Sequence, residues 1–195
     1  MSRSESGRPD GAGDDRRSAV LESALKTFAR YGYRKTSMDQ VATDAGISRP
    51  GLYFLFDSKE SLFRAAVEQA LQRDLAGVER ALARTDRSLR ANVVDAFDHW
   101  AGRYVGPSTR DVAGVIDENP TLLGPVAVAA PTRFAGLVTA ALARTTARAR
   151  AVRTAETLIS TSIGIKHQVN DRREYLRRLR AAVALLVPDG ATRSS

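Results

Sequence analysis

The chain has 195 residues, a formal net charge of +8 and no cysteine. This length allows one large domain or a small domain joined to a larger one. The lack of cysteine excludes disulfides and thiolate sites, and two histidines leave little material for a zinc site. No stretch is long and apolar enough to span a bilayer, and the polar N-terminus does not resemble a secretory signal. We therefore expect a soluble, cytoplasmic protein without a membrane partner, and no motif indicates a cofactor.

The basic residues are unevenly distributed. A positive charge favours nucleic acid, because Lys and Arg that neutralise phosphates release counterions. Residues 16–59 contain eight Lys or Arg against four Asp or Glu, whereas residues 144–180 contain ten against three. The larger excess lies far along the chain from the motif described below, so charge alone does not locate a DNA-binding site.

The N-terminus predicts a tail followed by a helix. Residues 1–13 mix Ser, Gly, Arg, Pro and Asp and cannot bury enough apolar surface to offset the entropy of ordering. We expect a disordered tail there and another over residues 189–195. From Asp14 the apolar residues recur at helical spacing, which predicts a first helix that ends at Tyr31, before a glycine.

Two short helices follow. Ser37 stands three residues before Gln40, the spacing of a capping box in which the hydroxyl and the amide each satisfy a free backbone N–H. Gly46 is the expected left-handed residue that ends helix two. Ser48 is placed to cap helix three, which tolerates Pro50 in its first turn because the missing N–H would be unpaired there.

The rest of the chain predicts further helices and no strand. A long fourth helix is capped by Asp57 or Ser58 and runs to about Arg84. Later segments alternate helical periodicity with proline and glycine breaks. They are Ser88–Val105, Arg110–Asp117, Thr121–Arg150 with a bend or split near Pro125 and Pro131, Val152–Gln168 and Asp171–Val187.

Two short helices joined by a glycine-containing turn are typical of a helix-turn-helix, whose second helix enters the major groove of DNA. This pattern alone is weak, because it occurs throughout all-α proteins. The surrounding residues make it specific: in order and type, residues 24–67 resemble the N-terminal domain of the TetR family of transcriptional regulators. The matching residues are Ala24, Phe28, Gly32, Tyr33, Thr36, Ser37, Ala45, Gly46, Ile47, Ser48, Leu52, Tyr53, Phe56, Lys59, Glu60 and Leu62.

The resemblance implies which residues contact the DNA backbone. Thr36 and Ser37 match hydroxyls that contact phosphate at the start of helix two, where free N–H groups favour an anion. Tyr53 matches a tyrosine that touches the backbone, and Lys59 matches a lysine that pairs with phosphate. Plain helix capping by the two hydroxyls and a solvated lysine are the alternatives.

The start of helix three offers base contacts. Arg49 can span O6 and N7 of guanine, although an ordinary surface arginine is the alternative. Pro50 and Gly51 are small enough for close approach or for contact with a thymine methyl, and Ser48 joins this candidate set. Many family members carry a histidine or another polar residue at the place of Leu55, so no contact is carried over to that position.

Other residues of this segment have structural or open assignments. Arg16 and Arg17 lie where an N-terminal arm could reach phosphates or a minor groove, with a solvated first turn as the alternative. The residues expected to form the core that fixes the helices are Phe28, Val41, Ile47, Leu52 and Phe56.

The resemblance implies a helical body that dimerises through its last two helices, as a two-fold operator requires. Each of these helices taken alone is better explained as a core stripe with a solvated basic face. The residues assigned to the dimer interface are Leu158, Thr161, Ile165, Tyr175, Leu179, Ala182, Val183 and Leu186.

Family members commonly bind a small molecule in the body and then release DNA. Aromatic and polar residues near the fifth helix could line such a pocket or simply belong to the core. The residues assigned to the pocket for an unknown effector are Phe97, His99, Trp100, Arg103, Tyr104, Asn119 and Phe134.

The predicted fold is all-α: a three-helix helix-turn-helix head over residues 14–60 is joined by a long fourth helix to a regulatory and dimerisation body over residues 61–188. The predicted protein is a repressor that binds a palindromic operator as a homodimer and is released by a small molecule. One alternative is a DNA-binding regulator without an effector. A remote one is an all-α enzyme that uses His99 with Asp95, Asp98 or Asp117.

Overall fold

The computed structural model describes residues 10–106 and 110–188, and all regular structure in these ranges is helical, as predicted. None of the helices in the described ranges is long and apolar enough to cross a membrane. The helices are α1 Asp10–Tyr31, α2 Met38–Asp44, α3 Arg49–Leu55, α4 Lys59–Ala83, α5 Leu89–Trp100, a 3-10 turn Gly102–Tyr104, α6 Arg110–Asp117, α7 Pro120–Leu123, α8 Val126–Leu142, α9 Arg148–Gln168 and α10 Arg172–Leu186.

The chain divides into an N-terminal unit, Met1–Ala70, and a C-terminal unit, Leu71–Ser195. The division falls within α4, ten residues later than the predicted boundary after residue 60. The reason is that the first turns of α4 belong to the N-terminal core. The ring of Phe63 lies 5.2 Å from that of Phe28 in an edge-on arrangement and 5.0 Å from that of Tyr33.

Four of the five residues predicted to form the N-terminal core are buried. Phe28, Val41 and Leu52 are completely buried, and Phe56 is 4% exposed. Ile47, predicted to be buried as well, is only half-buried. The short helices α2 and α3 are therefore held on α1 by side chains from one face of each, and their other faces point away from the core.

The predicted N-terminal tail is too long. Helix α1 begins at Asp10 and not at Asp14, so residues 10–13 are helical. The remaining predicted tail residues, 1–9 and 189–195, lie outside the described residues.

The fifth helix is shorter than predicted, because α5 ends at Trp100 and a 3-10 turn follows. Gly102 lies at this break, where the backbone is crowded by other side chains. A Cβ atom at Gly102 would lie 2.4 Å from Oδ1 of Asp98 and 3.0 Å from Cε1 of Tyr175. A glycine is therefore needed for this close approach.

The long segment predicted from Thr121 to Arg150 is split into three elements. Helices α7 and α8 are separated at Gly124 and Pro125, as the predicted break near Pro125 suggests, whereas Pro131 lies within α8 and does not end it. Helix α8 ends at Leu142, and residues 148–150 already belong to α9, four residues before its predicted start.

The C-terminal unit has a continuous core formed by α4, α5, α8, α9 and α10. The fully buried Tyr175 of α10 anchors it, and its hydroxyl lies 2.7 Å from the hydroxyl of Ser162 in α9. Burial raises the pKa of Tyr175 to about 12, so this phenol stays protonated.

Most residues assigned to the dimer interface lie in this core. Leu158, Tyr175, Leu179 and Val183 are at most 1% exposed, and Ile165 is 8% exposed, so their side chains are filled contacts of the protomer itself. A periodic apolar stripe packs inward first, which explains why these five side chains lie inside the protomer. Thr161, Ala182 and Leu186 are half-buried. The large apolar side chains exposed on these helices are Ile163, at 54%, and Leu185, at 86%.

Candidate nucleic-acid interface

The turn between α2 and α3 is closed by backbone hydrogen bonds. Gly46 has φ of 66°, in the left-handed region as predicted, and its N–H donates to Thr43 O at 3.1 Å. The N–H of Ile47 donates to Ala42 O at 3.0 Å. This arrangement satisfies the last carbonyls of α2 and fixes the direction in which α3 leaves.

Both short helices are capped by the predicted serines. Ser37 Oγ accepts a hydrogen bond from Gln40 N, and Ser48 Oγ accepts one from Gly51 N, each at 3.1 Å. The reciprocal half of the predicted capping box is absent, because the Gln40 side chain donates to Asp44 Oδ1 at 2.8 Å. Ser37 and Ser48 are exposed, so both hydroxyls face solvent while they cap.

Thr36 does not have the predicted exposure. Its side chain is buried, and its hydroxyl donates to Gly32 O at 2.8 Å within the turn after α1. A phosphate oxygen has no access to that hydroxyl, so Thr36 is a structural residue of the turn. Of the Thr36–Ser37 pair, only Ser37 is positioned for an external contact.

Lys59 also has a structural contact that the sequence did not indicate. Its ammonium group donates to the backbone carbonyls of Tyr33 at 3.1 Å, Thr36 at 3.0 Å and, more weakly, Arg34 at 3.4 Å. The same atom lies 4.6 Å from the centre of the Tyr33 ring. Lys59 therefore ties the start of α4 to the segment that leads into α2, and its positive charge stays beside that segment.

The outward face of α3 carries the remaining candidates. Arg49, Pro50 and Tyr53 are exposed, and Gly51 is half-buried. The guanidinium of Arg49 pairs with Asp39 of α2 at 2.9 Å and lies 5.7 Å from the centre of the Tyr53 ring. This short helix thus presents a donor and an aromatic side chain on a face whose opposite side is anchored by the fully buried Leu52.

Sequence reasoning missed two features of this surface. Phe54, to which the sequence analysis assigned no role, is 89% exposed; its spacing of four residues from Pro50 places both on one helical face. Arg34 and Lys35 are exposed just before α2. Two basic residues so close in sequence to Ser37 could have indicated a contact with phosphate.

Comparison with known proteins is decisive for this segment. A family model described as bacterial regulatory proteins of the TetR family matches residues 20–66, which contain the helix-turn-helix and its supporting helices. The chain belongs to the TetR family.

Two curated relatives of this TetR-family chain show the range of their activities. The transcriptional activator FasR of Mycolicibacterium smegmatis is 38% identical over 88 residues, which are 44% of this chain and 40% of that protein. The transcriptional repressor ComR of Escherichia coli is 32% identical over 106 residues, which are 54% of this chain and 50% of that protein. The chain spans about half the length of the curated relatives it matches.

Solved structures extend the likeness to the TetR-family fold as a whole. The regulator PfmR of Thermus thermophilus has a TM-score of 0.66 at 21% identity, over 86% of this chain and 96% of its own. The reduced form of NemR from Escherichia coli has a TM-score of 0.72 at 16% identity, over 91% and 100%. At these identities the likeness shows the fold alone.

The seven residues assigned to an effector pocket of this TetR-family chain do not form one set. Phe97 and Phe134 are buried with ring centres 5.1 Å apart, and Trp100 stacks on Phe134 at 4.8 Å. The ring of the exposed His99 lies against Gly77, and Asn119 donates to Val115 O at 2.8 Å.

Arg103 and Tyr104 meet at a buried carboxylate. Asp74, which is 1% exposed, accepts hydrogen bonds from Arg103 Nη1 at 2.7 Å and from Tyr104 Oη at 2.5 Å. Burial raises the pKa of Asp74, against the lowering effect of these two partners. The pKa of Tyr104 is raised by its own burial and by the Asp74 carboxylate.

A groove of about 240 Å³ lies elsewhere in the C-terminal unit, between α5 and α10. None of the seven assigned residues lines it. Its walls combine charged and apolar side chains, a composition that the sequence pattern around α5 did not suggest. They include Arg87, Arg90, Val94, Asp95, Arg180 and Val183.

Two of the three acidic residues considered for catalysis are paired with arginines. Asp98 accepts two hydrogen bonds from Arg172, at 2.8 and 2.5 Å, and Asp95 accepts one from Arg87. The side chain of Asp117 lies outside those described. Among the described residues there is no cluster of His, Asp or Glu that could hold a metal ion.

Proposed function

We propose that this TetR-family protein is a transcriptional regulator that binds a palindromic operator as a homodimer. In this proposal it acts as a repressor and is released when a small molecule binds the C-terminal unit. The observation that carries the proposal is the outward face of α3, where Arg49 and Tyr53 are exposed on a helix fixed by the buried Leu52 and Phe56. A helix with a rigid base and a free polar face suits entry into a major groove.

Arg49 is the residue proposed to read sequence. Its guanidinium has planar, parallel N–H donors that match O6 and N7 of guanine. Its pairing with Asp39 is exposed on both sides, at 63% and 58%, so water and salt weaken it and a base can displace it. The Tyr53 ring beside it supports the extended arginine from one side.

Ser37, Arg34 and Lys35 are the residues proposed to hold the phosphate backbone. They are exposed and lie together at the entry to α2. Lys59 contributes by holding this segment in place, since its ammonium bonds the carbonyls of residues 33, 34 and 36. Phosphate contacts of this kind fix the register on the duplex and carry no sequence information.

Dimerisation is proposed through the outward faces of α9 and α10. These faces expose Ile163 and Leu185 next to small residues, including Ser160, Gly164 and Ala184, which allow close helix approach. Large apolar side chains at such exposure favour burial against a second copy. A two-fold dimer then presents two α3 helices to two half-sites.

One observation favours a regulator without an effector. The rings assigned to the pocket, Phe97, Trp100 and Phe134, contact one another, as a core cluster does. Trp100 is the only tryptophan of the chain, so a ligand that enters this cluster must change the fluorescence of one defined residue. If no compound of a small-molecule library releases the operator or changes the Trp100 fluorescence, the second candidate is favoured.

The experiment that tests DNA binding is selection from a random duplex library with purified full-length protein. Enrichment of a palindrome supports the proposal. Arg49→Ala is expected to relax the preference at one base pair per half-site, at a cost of about 1–3 kcal/mol for that base. Lys35→Ala is expected to weaken binding to all sequences and to reduce the salt dependence by about one charge per protomer.

Lys26→Ala is the matched control, because it removes the same charge from an exposed position of α1. It should leave both the preferred sequence and the salt dependence unchanged. A failure of the wild-type protein to enrich any sequence at low salt would contradict the proposal. Repression as opposed to activation is then decided by a reporter placed behind the selected sequence, with and without the protein.

A further inference from the structure

Phe54 is the most exposed of the large apolar side chains in the described part of the chain, at 89%. It lies in the last turn of α3. The next aromatic residue along the chain, Phe56, is buried and contacts the guanidinium of Arg17. A phenyl ring left in water gains nothing for the fold. Its neighbours determine what it can contact.

The ring belongs to a small apolar surface with a charged rim. Pro50 is exposed one turn before Phe54, and Ile47 and Leu55 are half-buried next to it. A cleft of about 230 Å³ adjoins this surface, lined by these two residues, Gly51 and Phe54 on one side and by residues of α1 on the other. The α1 residues are Gly13, Arg16 and Arg17.

The two arginines favour a negatively charged occupant next to the apolar surface. A protein partner or a second copy that covered Phe54 would also have to neutralise Arg16 and Arg17. Duplex DNA meets both requirements, because phosphates flank each groove and one base carries an apolar group there. That group is the C5 methyl of thymine, the only apolar substituent that a base pair shows in the major groove.

We propose that Phe54 is a specificity-determining residue that packs against the C5 methyl group of a thymine in the operator, with Pro50 beside it and Arg16 and Arg17 near the adjoining phosphates. This inference rests on the proposed DNA-binding function. Phe54 follows Arg49 by five residues, or about 7–8 Å along the helix. The thymine therefore lies within about two or three base pairs of the guanine read by Arg49.

The test removes the methyl group and nothing else. Each thymine of one half-site of the selected operator is replaced in turn by deoxyuridine, and affinity is measured by fluorescence anisotropy at fixed salt. For the wild-type protein, one position is expected to lose about fourfold in affinity, which is the value of burying one methyl group. The other thymines should change little.

Variants assign this effect to Phe54. Phe54→Ala is expected to bind the thymine operator more weakly than the wild type and to bind the thymine and uracil operators equally. Phe54→Leu keeps an apolar contact and should retain part of the discrimination. Because the ring is exposed, both variants should keep the thermal midpoint of the wild type. Val128→Ala, which shortens an apolar side chain that is 71% exposed in α8, is the matched control and should leave the discrimination intact.

The outcomes separate this inference from the proposed function. If the wild-type protein binds its operator but no uracil substitution weakens binding, the thymine contact is refuted and DNA binding stands. If Phe54→Ala still discriminates at the same position, another residue reads the methyl group. If no operator is selected at all, the proposed function itself fails.

Discussion

Lys59 illustrates how one side chain takes a role that its sequence context does not indicate. The residue stands at the first position of α4, where a solvated lysine or a phosphate contact was expected. In the structure its ammonium group instead bonds carbonyls that are 23 and 26 residues earlier in the chain. No pattern of neighbouring residues reports such a contact, because the acceptors are backbone atoms that any sequence supplies.

Replacing Lys59 by methionine keeps the length of the side chain and removes its donors. We expect the free energy of unfolding to fall by about 1–2 kcal/mol, because several carbonyls lose a charged partner and gain only water. Urea denaturation measures this change. Lys26→Met, at an exposed residue that pairs with Glu22 one turn away, should stay within about 0.5 kcal/mol of the wild type. If Lys59→Met has the urea midpoint of the wild type but binds DNA more weakly, Lys59 acts only through phosphate and not by stabilising the fold.

Asp74 gives a prediction with a defined pH dependence. Because its pKa is raised above the unfolded value of 3.8, the folded protein binds a proton here more tightly than the unfolded chain. Ionised Asp74 therefore costs stability once the pH exceeds 3.8. Compared with Asp74→Asn, the wild type should lose relative stability as the pH rises from about 4 through the raised pKa.

Urea titrations of both proteins between about pH 4 and 7 measure this difference. Asp86→Asn is the control of opposite sign, since the Arg84 side chain lowers the pKa of Asp86 to about 2. The stability that ionised Asp86 contributes is fully present above its unfolded pKa. The difference in free energy of unfolding between the wild type and Asp86→Asn should therefore not change with pH above about pH 5. A flat difference for Asp74 as well would show that its burial is compensated by Arg103 and Tyr104.

The helices show which features local sequence determines. The starts of α2, α3 and α5 were predictable, because Ser37, Ser48 and Ser88 cap them with bonds that span only three residues. The end of α5 was not predictable. Gly102 is required there because the side chains of Asp98 and Tyr175 leave no room for a Cβ atom, and Tyr175 is 73 residues further along the chain. Pro131 within α8 was also ambiguous, because a proline beyond the first turn removes one backbone hydrogen bond of the helix, and local sequence does not show whether the helix tolerates that loss.

Two glycine substitutions test this account of helix ends. Gly102→Ala should lower the free energy of unfolding by about 1–3 kcal/mol, because its Cβ would overlap Asp98 and Tyr175. Gly136→Ala, in the middle of α8 with open space around it, should raise it by up to about 1 kcal/mol through helix propensity. Thermal or urea unfolding of the pair decides the matter; equal effects of the same sign would contradict the role given to crowding at Gly102.

For the whole molecule, the proposed dimer depends on surfaces that the apolar pattern did not reveal. Periodicity correctly identified α9 and α10 as helices, but the strongest stripe of each is used inside the protomer, around Tyr175 and Leu158. The outer faces carry one large apolar residue each among small and charged ones. The apolar pattern of such a face is weak in the sequence. Only the exposure of Ile163 and Leu185 in the structure distinguishes these outer faces from an ordinary solvated helix face.

Charge at these two residues should prevent dimerisation. Ile163→Asp combined with Leu185→Asp is expected to give a folded monomer, because both side chains are exposed in the protomer and become buried only on association. Sedimentation velocity measures the mass, and circular dichroism checks the fold. Val128→Asp, at a comparably exposed position of α8, should remain dimeric. A wild-type protein that sediments as a monomer would refute the proposed dimer itself.

The ion pair between Arg49 and Asp39 has a consequence for fidelity. In the free protein the Arg49 guanidinium already pairs with the Asp39 carboxylate. A base of the operator must therefore displace Asp39 to bind Arg49. An exposed pair of this kind is worth less than about 1 kcal/mol, enough to reject weak acceptors and too little to resist a bidentate guanine. A chain with Asp39→Asn would hold duplexes more tightly and choose among them less well, since selectivity is a difference between affinities.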